Sequence, residues 1–363
     1  MMDARSAVLT HHWLVRRRGG EKVLDAFREL FPSADIYTLI HEPKYDWPLQ
    51  PTPRVRASLL DQIPGAARHY PKLLPLMPWA ARRLRLPPVD LVLCSDAAVA
   101  KAMTPDPRSK LVCFCHSPMR YAWDLSDVYR ATLPAPLRPL WGPMIARVRD
   151  ADRRAAQRVD VFIANSRHVA ERIRRAYGRE STAIHPPVEL PDGPTTGARG
   201  DFYLCVGHHV AYKRLDLAVE ACRRLNRRLI VIGEGPDVAR LRNTPGANVQ
   251  WLGWQSDTVV KQHYATARGL LFPGEEDFGI VPVEAMAHGC PVIAYGVGGA
   301  TETVAAGRTG VLFHEQTVEC LVEAIESLEG MRFDPTSMFE YCQQFSRPRF
   351  LRQIESVLNR ALT

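Results

Sequence analysis

Residues 269–303 read GLLFPGEEDFGIVPVEAMAHGCPVIAYGVGGATET. The run Gly269–Phe272 is apolar, too short for a helix, and fits a buried parallel strand. A loop carrying Glu276 follows. Pro282 suits the first turn of a helix, where its missing N–H costs nothing, and this reading places Glu284 in that same turn. The apolar run Pro291–Ala294 is a second strand, ahead of Gly298 and Gly299. Strand, helix and strand at this spacing make a parallel βαβ unit. Between the two carboxylates, Phe278-Gly279-Ile280-Val281 form a turn. Its backbone N–H groups, with the helix N-terminus behind them, can bind a phosphate. One carboxylate then faces a sugar, and the other accepts hydrogen bonds from ribose, because a carboxylate can accept from two vicinal hydroxyls at once.

Outward from this stretch the same alternation continues. Phe202–Val206, Arg228–Ile232 and Asn248–Leu252 are strand candidates, with helical segments between most of them. Toward the N-terminus, Ser6–Val15, Asp90–Cys94, Leu111–Cys115 and Val159–Ala164 read as strands, Glu21–Phe31 as a helix. Ser166 caps a helix over Arg167–Tyr177 that stops at Gly178. Residues 186–200, PPVELPDGPTTGARG, lack apolar periodicity and read as a linker. The expected class is α/β: two Rossmann-like domains with parallel sheets, residues 1–185 and 201–345, around a cleft, and a helical segment over 346–363.

Charge divides at the same linker. Residues 1–185 hold 30 Lys and Arg against 18 Asp and Glu; residues 186–363 hold 17 against 21. A basic first half suits an anionic partner, and charge alone leaves nucleic acid, a lipid surface and a phosphorylated substrate open. Residues 54–85 set seven Lys and Arg beside Leu73, Leu74, Leu76, Met77 and Trp79, a mixture that fits either an anionic membrane interface or a Pro-broken segment with buried apolar residues. The eight cysteines form no CxxC pair, and Cys113 and Cys115 alternate within an apolar run, as buried free thiols of a reducing cytosol would. With no signal-peptide h-region and no long uncharged apolar run, the chain is expected on the cytoplasmic side.

Smaller motifs carry chemistry of their own. Arg18-Gly19-Gly20-Glu21 opens the first helix, and glycine there lets backbone approach a diphosphate closely. Asp150-Ala151-Asp152 is formally a metal-binding DxD, but it stands among Arg147, Arg149, Arg153 and Arg154 and reads as an ion-paired helix surface. No metal site is expected.

The Glu276-x7-Glu284 pair followed by AMAHGCPVIAYGVGG resembles the donor-site signature of family 4 of the retaining glycosyltransferases, enzymes of the two-domain GT-B fold. GHHVAYKRL at 207–215 is similar to the family's basic segment, which implies that Lys213 holds the donor diphosphate; His208 stands where the family usually has arginine, and histidine is only partly protonated at neutral pH. Arg214 is a candidate to compensate. The resemblance further implies that Gly233 and Gly235 line the nucleotide pocket, that Gly19 and Gly20 close over the donor, and that His116, within HSPMRYAWD at 116–124, lies near the transferred sugar. It covers roughly residues 8–350, and HSPMRYAWD, YPKLLPLMPW (70–79), IANS (163–166) and HPPV (185–188) are similar to a bacterial mannosyltransferase branch of O-antigen and exopolysaccharide synthesis. The implied activity is retaining, metal-independent hexosyl transfer, with the acceptor bound mainly by residues 1–185, the nucleotide sugar mainly by residues 201–345, and the helix over 346–363 crossing back to the first domain. GDP-mannose is the donor this implies, a glycan or lipid-diphosphate-linked sugar the acceptor, and an anionic membrane surface a further partner; no cofactor and no nucleic acid is expected. Catalytic roles fall to Glu276, His116 and Lys213, and donor binding to Phe278, Gly279, Ile280, Val281 and Glu284 with the glycines and cations above. UDP-glucose or another nucleotide sugar is the alternative donor, and a non-catalytic sugar-nucleotide binder the alternative function.

Overall fold

The computed structural model describes residues 6–17, 19–45, 47, 50, 52–246 and 248–363. It divides into two compact units, Met1–Pro187 with Pro348–Thr363, and Val188–Arg347.

In the first unit, β1 (Ala7–His11), β2 (Ile36–Thr38), β3 (Val55–Ala57), β4 (Leu91–Asp96), β5 (Lys110–Cys115), β6 (Val161–Ala164) and β7 (Thr182–Ala183) form one parallel sheet in the order β3-β2-β1-β4-β5-β6-β7. Side chains alternate between two apolar layers, as a sheet covered on both faces requires. Val92, Cys94, Leu111, Cys113 and Cys115 pack toward one layer with Val148, Val169 and Ile173 of the helices Arg138–Gln157 and Arg167–Tyr177. Leu91, Leu93, Val112 and Phe114 pack toward the other, against the helix Gly19–Leu30. The chain's last helix, Arg347–Leu362, belongs to this second layer. Its Phe350 stacks on Phe27 at 6.1 Å and meets Phe114 edge-on at 5.7 Å.

The second unit repeats the plan. β8 (Phe202–Val206), β9 (Arg228–Ile232), β10 (Val249–Gly253), β11 (Gly269–Phe272), β12 (Val292–Tyr295) and β13 (Gly310–Phe313) form a parallel sheet ordered β10-β9-β8-β11-β12-β13. Strand order reverses once in each sheet, between β1 and β4 and between β8 and β11. Ligands of open α/β sheets bind outside the strands' carboxyl ends at such a reversal.

Several expectations need correction. The first strand ends at His11, not Val15; Leu14 makes only an isolated bridge to His41. Residues 188–200 are fastened to the second unit. Val188 bridges Ser346, and the Arg199 guanidinium donates to the carbonyls of Tyr264, Ala265 and His288. The DxD splits in two. Asp150 is an exposed partner of Arg154, as a helix surface would have it. Asp152 is buried, 2.6 Å from Lys101 Nζ, and accepts from Trp123 Nε1 and Tyr177 OH.

Because Phe350 sits between Phe27 and Phe114, Phe350→Ala should cost the first unit about 3–5 kcal/mol, the usual cost of emptying an aromatic core site. Urea unfolding, followed by a probe in each unit, checks this: the first unit's transition moves down and that of the second does not.

Candidate functional site

At the reversal in the second sheet, the loop after β8 and the loop after β11 lie side by side. Lys213 ends a short 3-10 turn, Ala211–Lys213, and its Nζ stands 2.9 Å from Oε1 of Glu276. Both side chains keep about a fifth of their surface open to solvent, at 24% and 19%. Glycines allow this convergence. A Cβ on Gly233 would stand 1.8 Å from the carbonyl oxygen of Gly207, so the loops after β8 and β9 touch backbone to backbone. A Cβ on Gly299 would stand 2.3 Å from Cα of Phe278, and the Gly299 N–H donates to the Glu276 carbonyl at 2.8 Å. Gly298 bridges Glu276 from the same side. The two glycines therefore fix where Glu276 starts.

The helix after this loop runs Ile280–Ala287, with Gly279 at its N-cap, and no side chain caps it. Its leading N–H groups belong to Ile280 and Val281, since Pro282 has none. Glu284 is the fifth residue of this helix, one turn in, and not in the first turn as its spacing from Pro282 suggested. Its carboxylate lies 3.5 Å from the Tyr264 hydroxyl. Burial, and then the charge of Glu284, push that phenol well above its ordinary range. Phe278 is buried and packs edge-on against Phe345.

The cations around Lys213 sort clearly. His208 is exposed at the strand end. Its neighbour His209 is buried, with Nε2 3.0 Å from the Ile232 carbonyl, and burial lowers its pKa to about 4. Arg214 has partners of its own. Its guanidinium is held by Asp216 and donates to the Gln316 carbonyl.

At the reversal in the first sheet, four elements bring polar groups together. His11 ends β1, Ser95 lies near the end of β4, His116 follows β5, and Glu21 is in the first turn of the Gly19–Leu30 helix. Ser95 Oγ is 3.1 Å from His11 Nδ1 and 2.8 Å from His116 Nε2. His11 Nε2 is 3.5 Å from Glu21 Oε1. Gly20 lies against the two rings: a Cβ there would stand 3.6 Å from His116 Nε2 and 3.7 Å from His11 Cε1. Gly19 opens the helix, and Arg18 lies outside the described residues. The backbone of His116 is clamped on both sides, its N–H donating to the Asp96 carbonyl and its carbonyl accepting from Asn165 Nδ2. Asp96 is buried with Lys101 at 2.8 Å. Burial opposes its ionisation, but the charge and hydrogen bond of Lys101 outweigh that and lower its pKa. Sequence reading missed His11, Ser95 and Asp96 because polar residues at the ends of apolar strands look like strand termini until the sheet order sets them side by side, and Lys101 because it stands in a short turn, Ala100–Ala102, with nothing local to indicate its partners.

Among the described residues no group of three or more His, Cys, Asp or Glu gathers as a metal site, and no helix is long and apolar enough to cross a membrane. In residues 54–85, Met77, Ala80 and Ala81 are buried, while Leu59, Leu76 and Trp79 are about half exposed. Arg83 lies over the Trp79 ring at 4.6 Å.

Two family models match this sequence, Glycosyltransferase Family 4 over residues 17–191 and Glycosyl transferases group 1 over residues 195–346. The chain is a family 4 glycosyltransferase of the GT-B fold. This glycosyltransferase is 28% identical over 230 residues to a GDP-mannose-dependent alpha-(1-6)-phosphatidylinositol monomannoside mannosyltransferase of Mycolicibacterium smegmatis, covering 51% of this chain and 57% of that protein. It is 31% identical over 168 residues to a glycogen synthase of Xanthomonas oryzae pv. oryzae, covering 43% and 30%. The matches thus span about half or less of the length of these curated relatives, 20% in the case of a Streptomyces coelicolor exopolysaccharide phosphotransferase. Among solved structures, Anabaena HepE in complex with UDP and glucose superposes with a TM-score of 0.69 at 18% identity, over 98% of this chain and 99% of that one. A lipopolysaccharide outer core galactosyltransferase, WaaB, superposes with a TM-score of 0.65 at 16% identity, over 97% and 98%.

The glycine contacts yield a paired prediction. Gly299→Ala forces its Cβ into the Phe278 backbone, and should cost about 1–3 kcal/mol, seen as a lower thermal transition. Gly142→Ala, at an exposed helix position with nothing within 4 Å of the new Cβ beyond its chain neighbours, should change stability by no more than about 0.5 kcal/mol, because Pro143 next to it offsets the gain in helix propensity.

Proposed function

We propose that the glycosyltransferase moves a hexose, mannose from GDP-mannose, with retention of configuration, to a lipid-linked or oligosaccharide acceptor in cell-surface polysaccharide synthesis. The observation that carries the donor half of this reading is the Lys213–Glu276 pair at the strand reversal, set among glycine-lined loops and beside the Ile280–Ala287 helix N-terminus. A lysine ammonium, a helix N-terminus and close backbone approach together suit a diphosphate. Glu276 orients the sugar through its hydroxyls. Glu284, one turn into the helix, accepts from the ribose, with Phe278, Gly279, Ile280 and Val281 forming the wall between the two carboxylates. Gly233 and Gly235 line the nucleotide side. The roles of Gly19 and Gly20 toward the diphosphate and of His116 toward the transferred sugar rest on the family resemblance of their motifs alone.

The chemistry then needs no covalent side-chain nucleophile. Charge grows on the leaving diphosphate while the sugar becomes oxocarbenium-like, and the acceptor hydroxyl attacks from the face the leaving group departs. Lys213 and backbone N–H groups stabilise the growing negative charge, as preorganised donors do in other enzymes. Cations and helix ends supply the neutralisation, so the reaction runs without a metal. A uridine diphosphate sugar is the rival donor, favoured by the UDP and glucose in the Anabaena neighbour.

The deciding experiment incubates the protein with GDP- and UDP-sugars and a set of glycan and lipid-diphosphate acceptors, with and without EDTA. Transfer from GDP-mannose that survives EDTA supports the reading. Turnover restored only by added Mg²⁺ overturns its metal-free part, and transfer from a UDP-sugar alone overturns its donor. In the same assay Glu276→Gln should abolish transfer with nucleotide affinity nearly intact. Glu284→Ala should mainly weaken nucleotide binding, by about 1–3 kcal/mol for lost charged hydrogen bonds.

A lipid-linked acceptor would bring the enzyme to a membrane surface, and the exposed Leu76 and Trp79, with Arg83 over the Trp79 ring, are the anchor we assign to it. Vesicles containing anionic lipid should co-sediment the protein at low salt and release it as salt rises. Equal binding to neutral vesicles at high salt would contradict that assignment.

A further inference from the structure

The helix Arg138–Gln157 carries five arginines, and four of them are occupied: Arg138 donates to the carbonyls of Leu133 and Ala131, Arg149 to that of Ala122 and Arg153 to that of Ala176, and Arg154 pairs with Asp150. Arg147 has no such partner among the described residues. On the helix Met77–Arg83, neither Arg82 nor Arg83 meets a carboxylate among the described residues, and Arg83 lies over the Trp79 ring. All three of these exposed arginines line one cleft of about 630 Å³. Most of the remaining wall is apolar: Trp79, Met144 and Val148, with Pro75 and Pro78. Like charges crowd at this place. Burial first, and then the charge of Arg82, lower the pKa of Arg158, whose guanidinium donates to the Ala102 carbonyl. On an open helix face such cations are simply hydrated. Here they share a concave wall with apolar side chains, and an anion entering it relieves their mutual repulsion.

We propose that this cleft takes up a single lipid, with its phosphate on Arg82, Arg83 and Arg147 and the start of its hydrocarbon chain along Trp79 and Met144. The two kinds of wall select this occupant together. A guanidinium fork matches two oxygens of a phosphate, and several forks hold it from different sides. A free phosphate or an acidic sugar satisfies those forks but leaves the indole, the thioether and Val148 in water; a hydrocarbon chain covers them. The proposal rests on the reading that a lipid-linked acceptor brings the enzyme to a membrane, and it goes further than that reading. An exposed patch adsorbs to any anionic surface, whereas a cleft of this size holds one molecule in one place and saturates. None of the residues gathered at the two strand reversals lines it, so a lipid held here leaves the candidate donor and sugar sites open.

The test is calorimetric titration of the full chain with dihexanoyl phosphatidic acid at concentrations where that lipid is monomeric. Inorganic phosphate, dihexanoyl phosphatidylcholine and an oligogalacturonate are titrated alongside. The phosphatidic acid should bind one to one, at least about tenfold more tightly than each of the other three. Arg147→Gln should weaken it about tenfold and the double variant Arg82→Gln/Arg147→Gln about a hundredfold, a factor of about ten for each lost charge-assisted contact. These side chains are exposed, so both variants should keep the wild-type thermal transition. Arg147→Lys keeps the charge without the fork and should fall between wild type and Arg147→Gln. Inorganic phosphate binding as tightly as the lipid overturns the proposal, because the apolar wall then has no part. Phosphatidylcholine binding as tightly overturns it from the other side, and an equal oligogalacturonate makes the cleft a glycan site. Several lipids per chain, or affinity unchanged in the double variant, reduce it to adsorption on a basic surface and overturn it too. Co-sedimentation with anionic vesicles separates the two readings. Wild type that binds one short-chain lipid but does not sediment keeps the cleft and loses the membrane reading; wild type that sediments but shows no one-to-one binding does the reverse.

Discussion

A parallel strand must return to its starting edge through a crossover before the next strand can be laid beside it, and in this chain almost every other feature follows from that requirement. Crossovers cover both faces of each sheet, so the strands are apolar on both sides; Leu91, Val92, Leu93 and Cys94 are all buried, in alternating directions. Where the order of strands reverses, the crossovers on either side leave toward opposite faces, and the loops at the carboxyl ends part. β1 and β4 part in this way, and so do β8 and β11. The polar residues of both halves gather at these points because nowhere else along a sheet covered on both faces can backbone N–H groups and charged side chains converge without being buried under a helix.

Loops that part still have to hold charged groups in register, and here glycine does what side chains cannot. The Glu276 loop is fixed through its own backbone, by the N–H of Gly299 and the bridge to Gly298. That leaves its carboxylate to engage Lys213. With a fifth or more of each side chain in solvent, the ion pair itself contributes little to stability. Its value lies in keeping Lys213 extended at the strand ends. On the proposed function the pair is a resting arrangement, since a diphosphate bringing two or more negative charges competes well with one carboxylate for that ammonium.

Much of this was legible in the sequence, and the parts that were not have two causes. β8, β9 and β11 were read with their full bounds, because a run of four or five buried apolar residues between polar loops has few other uses. β2 and β3, three residues each, were missed because so short a run carries no periodicity. The Glu276 and Lys213 segments were singled out, one from its residues and one from resemblance, but the 2.9 Å between them joins positions 63 residues apart and depends on β8 lying next to β11. Asp152 was misread for the same reason. Its neighbours in sequence are arginines on a helix surface, whereas its partner in space is Lys101, which no local pattern indicates.

The first unit shows how far this adjacency reaches. His11, Ser95 and Cys115 occupy β1, β4 and β5, and sheet register places His11 opposite Ser95 and Asp96 opposite Cys115, the residue before His116. The spacing between neighbouring strands is close to what a serine hydroxyl spans between two imidazoles, so the hydrogen-bond chain follows from the strand order once those residue types occupy those ends. The helix that opens with Gly19 and Gly20 adds a group that the sheet cannot supply: Glu21, in its first turn, brings a buried carboxylate to 3.5 Å from His11 Nε2.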